Sequence, residues 1–133
     1  MVSTTPCYLG IDVGTQGLTA LLAESKKAAA TADTKLSLNV LAIGEGSYGF
    51  VPDLPEGCYE QDPLHWETAL LEALRSILDS LEGPVSVDAL CVTGQMHGCV
   101  MIDENGMSIG NARLWCDARN QEEVGQWMIG YIG

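Results

Sequence analysis

Three short stretches of the sequence combine residue types that do chemistry, and the first is GIDVGTQG. Asp12 lies near the end of an apolar run, and a glycine-rich turn follows it. Glycine has no side chain to keep a ligand at a distance, so the backbone around Gly14, Thr15 and Gln16 could hold phosphate oxygens. The Asp12 carboxylate would suit Mg²⁺, a hard cation that prefers oxygen ligands. The alternative is a tight turn between two strands with an incidental aspartate.

The second stretch is TGQMHG, in which Gln95, Met96 and His97 follow an apolar run. An imidazole that follows a buried strand lies at a carboxyl end, where open α/β sheets place ligand-binding groups. A single histidine is more often structural, so the residues alone leave both roles open for His97. The other histidine, His65, lies near the start of a predicted helix, and we expect it to be solvated.

The third stretch is LWCDAR, which spaces Trp115, Asp117 and Arg119 two residues apart. An aromatic wall beside a few polar hydrogen-bonding groups is typical of sites that bind small molecules. The alternative is a buried tryptophan next to a surface ion pair, which is the more frequent arrangement.

The charge balance of the chain excludes several classes of partner. Its 133 residues contain 18 acidic and 6 basic side chains, a formal net charge of −12. Such a surface repels phosphodiester backbones and anionic lipid headgroups, so we expect no nucleic-acid and no membrane partner. Because cationic side chains are scarce, any bound phosphate must be held by backbone amides or a metal ion.

The cysteines and the hydropathy pattern indicate the cellular compartment. Five cysteines, an odd number without CxxC spacing, argue against a disulfide framework or a zinc site. No signal peptide is visible, and no window approaches the roughly 20 apolar residues that span a bilayer. We therefore expect a soluble protein of the reducing cytoplasm.

The first half of the chain alternates apolar runs with turn residues. Strands are predicted at residues 7–13 and 37–48, and an exposed connection at 24–35. The segment LTALLA, residues 18–23, fits either a helix or a second buried strand. Proline and glycine mark residues 49–61 as a loop.

A helix is the clearest element of the second half. Asp62 is a good N-cap, Pro63 suits the first helical position, and Gly83 with Pro84 follows the end. Its predicted buried stripe consists of Trp66, Leu70, Leu74, Ile77 and Leu81.

Three further elements follow this helix. Residues 85–94 are predicted as a fully buried strand, and residues 99–110 as a hairpin around Asn105 and Gly106. The rest of the chain begins extended and becomes helical near Asn120.

Taken together, the motifs resemble those of the FGGY carbohydrate kinases. YLGIDVGTQG, EQDPLHW, VTGQMHG and LWCDAR occur in the order and approximate spacing of that family, most closely its xylulokinase group, from about Tyr8 to Arg119. The DxGT signal is shared with the whole sugar kinase, Hsp70 and actin superfamily, whereas GQMHG combined with EQDP is much more specific.

The resemblance implies an α/β fold of the ribonuclease-H-like type found in the actin/Hsp70/sugar kinase superfamily. Its mixed sheet has an antiparallel strand meander followed by a helix, which makes LTALLA a strand. Residues 1–133 would then be the front part of the N-terminal kinase domain. The remainder of that domain and the C-terminal ATP-binding domain would be absent, together with a downstream aspartate that acts as general base. We therefore expect this chain alone to be inactive.

The resemblance also implies an activity and a set of roles. The parent protein would phosphorylate a ketose or polyol, in the first place D-xylulose, with ATP and Mg²⁺. Asp12 would organise Mg²⁺ and the transferring phosphate, while the glycine-rich turn after it would line the phosphate loop. Met96 and His97 would contact the sugar, with Gln95, Trp115 and Asp117 lining or supporting the pocket. The alternative is a non-catalytic sugar- or nucleotide-binding module on the same fold, and a homodimer is possible.

Overall fold

The computed structural model describes residues 5–26 and 37–132, which divide into two compact units. The first unit contains the described residues up to Tyr48 together with Trp66–Gln95, and the second contains Gly49–His65 and the chain from Met96 onward. In chain order, the elements are β1 (Cys7–Val13), β2 (Gly17–Lys26), β3 (Ser37–Ser47), β4 (Glu60–Gln61), α1 (Pro63–Ser80), β5 (Val87–Gly94), β6 (Ala112–Arg113) and α2 (Gln121–Ile132).

The first unit is built on a four-stranded mixed sheet in the order β3-β2-β1-β5. Strands β1, β2 and β3 form an antiparallel meander, and β5 lies parallel to β1. The ambiguous segment LTALLA is therefore a strand, and it extends to Lys26. The predicted connection at 24–35 is wrong for Glu24–Lys26, which belong to β2; its remainder lies outside the described residues.

Local chemistry fixes the start of α1 as predicted. The Asp62 carboxylate accepts a hydrogen bond from the Leu64 backbone N–H at 2.9 Å, which satisfies one donor of the first helical turn. Pro63 is the first helical residue, and the helix ends at Ser80, shortly before Gly83.

The predicted buried stripe of α1 is largely wrong. The buried residues of the helix are Ala69, Ala73 and Ile77, so only Ile77 was predicted correctly. The other members of the stripe, Trp66, Leu70, Leu74 and Leu81, are half-buried. Helical periodicity predicts that the large apolar side chains are buried, whereas the contact of α1 with the sheet buries mainly small ones.

The small residues of α1 lie against glycines of β3. A Cβ atom on Gly44 would overlap the Ala73 carbonyl group, and one on Gly46 would overlap the backbone of Ala69. The helix backbone therefore lies directly on the strand backbone. Around this contact, the core of the unit contains Cys7, Ile11, Leu18, Ala20, Leu22, Ala42, Ala69, Ala73 and Ile77.

Strand β5 exists as predicted, but the prediction that it is fully buried is wrong. All eight of its residues are exposed, including Leu90 at 63% and Val92 at 57%. These two side chains pair with Leu9 and Ile11 of β1, on the face of the sheet that α1 covers. The backbone of α1 lies closest to the opposite end of the sheet, at β3, and the Leu90 and Val92 side chains stay exposed. An apolar run shows which side chains are suited to burial, not what covers them.

The second unit is held together by short pairings. Strand β4 pairs antiparallel with β6, and Cys99 bridges to Arg113 through hydrogen bonds of 2.8 and 3.0 Å. The predicted loop at 49–61 is irregular except for β4 at its end. The predicted helix near Asn120 is present as α2.

The predicted turn around Asn105 and Gly106 is present. The Asp103 backbone N–H donates to the Met107 carbonyl at 2.8 Å, and the Asp103 carboxylate accepts from the N–H groups of Asn105 and Met107 at 2.9 and 2.8 Å. Gly106 has a φ of 81°, which the left-handed position of this turn requires. The strands on either side pair only through an isolated bridge between Ile102 and Ser108.

Within the described part of the chain, no helix is both long and apolar enough to cross a membrane.

The contact between α1 and β3 predicts a strong effect of one methyl group. Gly44→Ala should lower the free energy of unfolding by about 1–3 kcal/mol, because the added Cβ overlaps backbone that cannot move aside. The matched control is Gly10→Ala in β1, where a Cβ meets nothing within 4 Å. Denaturant melts of both variants check this, and an equal loss in the two would contradict the close contact.

Candidate functional site

The turn between β1 and β2 is closed by its own backbone. The Gly14 N–H donates to the Gly17 carbonyl at 2.9 Å, and a Cβ on Gly14 would lie 3.3 Å from that same oxygen. Only a residue without a side chain fits there without a shift. Gln16, between the two glycines, is exposed.

Two predicted site residues meet at the carboxyl ends of the parallel strands β1 and β5. The Thr15 hydroxyl donates to Oε1 of Gln95 at 3.1 Å. The Gln95 backbone N–H in turn donates to the Val13 carbonyl at 2.9 Å. Gln95 thus belongs to the first unit and contacts the glycine-rich turn.

Asp12 is the next-to-last residue of β1, and its side chain is exposed. Its partners in the sheet register are Thr19 of β2 and Thr93 of β5, both exposed. Directly paired residues project from the same face of a sheet, so two hydroxyls flank the carboxylate. This oxygen-only set of donors fits a hard cation such as Mg²⁺.

Tyr48 contacts the same turn, although its sequence position gave little reason to expect it. Its hydroxyl lies 2.6 Å from the Gly14 carbonyl and 3.0 Å from the Gly17 carbonyl, so it donates to this pair. Burial raises the pKa of the Tyr48 hydroxyl, and the Asp12 carboxylate raises it further. Tyr48 therefore stays protonated and keeps donating to the turn at neutral pH.

An open cavity of about 530 Å³ lies beside the turn. Its lining residues come from the turn and from the adjoining ends of β2 and β3. They are Gly14, Gln16, Gly17, Leu18, Thr19, Glu45, Gly46 and Ser47.

The second unit contains a separate cavity of about 380 Å³ that brings together three predicted site residues, His97, Trp115 and Asp117. His97 is exposed, so it is not a core histidine. Trp115 is 59% exposed, which excludes the buried tryptophan considered as its alternative. Met96, at 72% exposure, is absent from the described residues that line this cavity.

The backbone of His97 adopts the left-handed conformation, with a φ of 63°. Few residues other than glycine do so, although histidine and asparagine are enriched among them. Two residues later, Cys99 is fixed by its paired hydrogen bonds to Arg113. The segment that carries His97 therefore has a defined and uncommon backbone geometry.

Asp117 takes part in an ion-pair network. The Arg119 guanidinium lies 2.7 Å from Asp117 and also 2.7 Å from Glu60, whose other oxygen accepts from the Asn111 amide at 3.0 Å. Hydrogen bonds from Arg119, together with one from the Tyr59 N–H, lower the pKa of Asp117 to about 2. The Asn111 amide, with Arg119, lowers the pKa of Glu60.

Several residues at these sites were missed by sequence reasoning. Arg113 and Asn120 line the cavity that contains His97. Glu60, in the EQDP motif, forms an ion pair with Arg119. For Arg113, the alternation over residues 112–115 was a usable signal, because exposed Arg113 and Trp115 alternate with buried Ala112 and Leu114.

The Tyr48 contact yields a direct test. Tyr48→Phe should lower the free energy of unfolding by about 1 kcal/mol, because the Gly14 and Gly17 carbonyls lose the hydrogen bond from the Tyr48 hydroxyl. Amide exchange at Gly14 should speed up as the turn loosens. Tyr8→Phe is the control, since among the described residues the Tyr8 hydroxyl makes no hydrogen bond. Unchanged exchange at Gly14 in Tyr48→Phe would show that the backbone alone holds the turn.

Comparisons with known proteins bear on this arrangement. A family model described as "FGGY family of carbohydrate kinases, N-terminal domain" matches residues 7–130. A protein named Xylulose kinase from Haemophilus influenzae is 31% identical over 121 residues, covering 87% of this chain and 22% of its own length. One of the same name from Staphylococcus xylosus is 34% identical over 116 residues, covering 87% and 21%. The chain thus spans about a fifth of the length of these curated relatives.

Solved structures agree in fold. A xylulose kinase from Rhodospirillum rubrum superposes with a TM-score of 0.76 at 21% identity, covering 93% of this chain and 23% of that one. A glycerol kinase with ADP from Plasmodium falciparum gives 0.73 at 20% identity, covering 96% and 23%. The mixed sheet, its antiparallel meander and the helix that follows confirm the predicted sugar kinase fold. The chain belongs to the FGGY family of carbohydrate kinases.

Proposed function

We propose that this chain is the front part of the N-terminal domain of an ATP-dependent kinase. That kinase transfers a phosphoryl group to a hydroxyl of a ketose or polyol, in the first place D-xylulose, giving D-xylulose 5-phosphate. The observation that carries the proposal is the cavity shared by His97 and Trp115. A sugar has a polar edge and an apolar face, and an imidazole beside an exposed indole matches both. The xylulose kinases among the relatives support the choice of substrate.

In this proposal the first unit handles phosphate. Gly14, Thr15 and Gln16 would lie along the ATP phosphates, and Asp12 would hold Mg²⁺. When bound, that ion would neutralise charge on the transferring phosphoryl group. The exposed carboxylate between two hydroxyls supports this assignment. Gln95 would orient Thr15 through the hydrogen bond between their side chains.

The second unit would bind the sugar. The His97 imidazole would hydrogen-bond a hydroxyl, and Trp115 would pack on the carbon skeleton. Met96 is exposed and precedes His97 directly, so we keep it as a second apolar contact. Asp117 lines the same cavity.

The domain arrangement is also part of the proposal. The general base, the rest of the N-terminal domain and the ATP-binding domain would belong to a longer protein. A matched relative is itself about four times as long as this chain, since 87% of the chain covers 22% of that relative. When catalytic groups act as a unit, removing one of them lowers the rate almost as much as removing all. Without the general base and the ATP-binding domain, the 133-residue chain alone should therefore not turn over sugar. The cytoplasmic location remains a prediction.

A coupled assay of the full-length protein with ATP, Mg²⁺ and D-xylulose tests the function. We expect turnover by the full-length protein and only background from the 133-residue chain. In the full-length protein, Asp12→Ala should lower kcat to near background with little change in sugar affinity, because Asp12 is assigned to the metal and phosphate. Asp79→Ala, on the exposed side of α1, is the control. A near-normal kcat for Asp12→Ala would make Asp12 a turn residue only.

The role of His97 can be tested with two variants, since its backbone is left-handed. In the full-length protein, His97→Ala should weaken sugar affinity or kcat/KM roughly tenfold to a hundredfold, because a buried sugar hydroxyl loses its partner. His97→Asn tolerates the same backbone and separates this effect from conformational strain. Both need sugar titrations and thermal melts.

The control for His97 is His65→Ala, at the other exposed histidine of the second unit. It should leave sugar affinity unchanged. A lowered melting temperature with unchanged sugar affinity in both His97 variants would exclude the sugar contact.

A further inference from the structure

We infer that Asp117 is a positioning residue that fixes Trp115 in the sugar cavity, and that it is not itself a ligand of the sugar. The inference rests on the proposed function for the identity of the ligand, a sugar. The contacts between Asp117 and the turn that carries Trp115 do not depend on that function. Asp117 had been expected to line or support the pocket, and the structure separates those two roles.

Trp115 lies in a short turn, and both ends of this turn are hydrogen-bonded to the backbone of Tyr59. The turn runs from Leu114 to Asp117 and is closed by the Asp117 N–H, which donates to the Leu114 carbonyl at 3.0 Å. At its start, the Leu114 N–H donates to the Tyr59 carbonyl at 3.0 Å. At its end, the Tyr59 N–H donates to Oδ2 of Asp117 at 2.8 Å. The carboxylate therefore supplies one of the two attachments of the tryptophan turn.

Arg119 fixes the orientation of that carboxylate. Its Nε lies 2.8 and 3.0 Å from the two oxygens of Asp117, and one terminal nitrogen lies 2.7 Å from Oδ2. The same guanidinium is anchored by Glu60, next to Tyr59 in the chain. A planar guanidinium holds a carboxylate in a defined plane, which a lysine ammonium cannot do.

The oxygens of Asp117 are already occupied. Oδ1 accepts from the backbone N–H and Nε of Arg119, and Oδ2 accepts from Tyr59 and two nitrogens of Arg119. A carboxylate offers about four lone-pair sites, so little capacity remains for a sugar hydroxyl. Only 6% of the side chain is exposed, compared with 59% for Trp115. The residue that can reach a ligand is the tryptophan.

The role predicts a particular kinetic pattern. An aromatic wall contacts the carbon skeleton equally before and during phosphoryl transfer, so losing its position should raise KM and leave kcat unchanged. In the full-length protein, Asp117→Asn should raise the KM for D-xylulose up to about tenfold, the range expected for an aromatic contact. A control in the same unit is Asp103→Asn, because Asp103 also accepts two backbone N–H groups but in a different turn.

A second measurement needs no sugar and uses the 133-residue chain. The chain has three tryptophans, so replacing Trp66 and Trp127 by Phe leaves Trp115 as the only tryptophan, which can be excited selectively over the tyrosines. In that background, Asp117→Asn should lower the fluorescence anisotropy of Trp115 and shift its emission, while Asp103→Asn should not. Should Asp117→Asn fail to fold, Arg119→Lys, which keeps the charge but loses the planar fork, makes the same test.

The outcomes separate this inference from the proposed function. Absence of D-xylulose turnover in the full-length wild type would exclude D-xylulose as the substrate. The fluorescence anisotropy of Trp115 in the 133-residue chain would still decide the role of Asp117. Unchanged Trp115 anisotropy in folded Asp117→Asn would overturn the positioning role. Loss of sugar affinity with an unchanged Trp115 signal would identify Asp117 as a direct ligand instead.

Discussion

The backbone contact between α1 and β3 is the constraint on which the first unit depends. Gly44 and Gly46 on the strand and Ala69 and Ala73 on the helix let the two backbones approach more closely than larger residues allow. With Gly49, the two strand glycines have the GxGxxG spacing of dinucleotide-binding turns. Here, however, Gly44 and Gly46 lie within a strand, and their missing side chains admit a helix rather than a pyrophosphate.

Fixing β3 also fixes the glycine-rich turn of the first unit. Tyr48 directly follows β3, so the helix that holds the strand determines where its hydroxyl lies. That hydroxyl reaches the Gly14 and Gly17 carbonyls, and the turn between them carries Thr15. The shape of the glycine-rich turn therefore depends on a packing contact made elsewhere in the same unit.

Sequence reasoning succeeded where the determining chemistry is local. The cap at Asp62 and the turn at Asn105 each depend on residues within about four positions, and both are present. It failed where distant residues decide: α1 buries Ala69 because Gly46 lies opposite, and no periodicity in the helix reveals that. The ion pair of Glu60 with Arg119 joins the EQDP and LWCDAR motifs, which are far apart in the chain. The motifs identified the family, but their sequences did not reveal that EQDP and LWCDAR contact each other.

Scarce positive charge limits how this chain can handle an anion. Of its six basic residues, Arg113 and Arg119 line the cavity that His97 shares, and Arg119 is already committed to Asp117 and Glu60. No lysine or arginine is among the described residues that line the cavity beside the glycine-rich turn. A phosphate at that turn would rely on backbone N–H groups and a cation, since the described residues that line the cavity supply no positive side chain. Under the proposed function, Asp12 would have to bring in that charge, because both cavity arginines belong to the second unit.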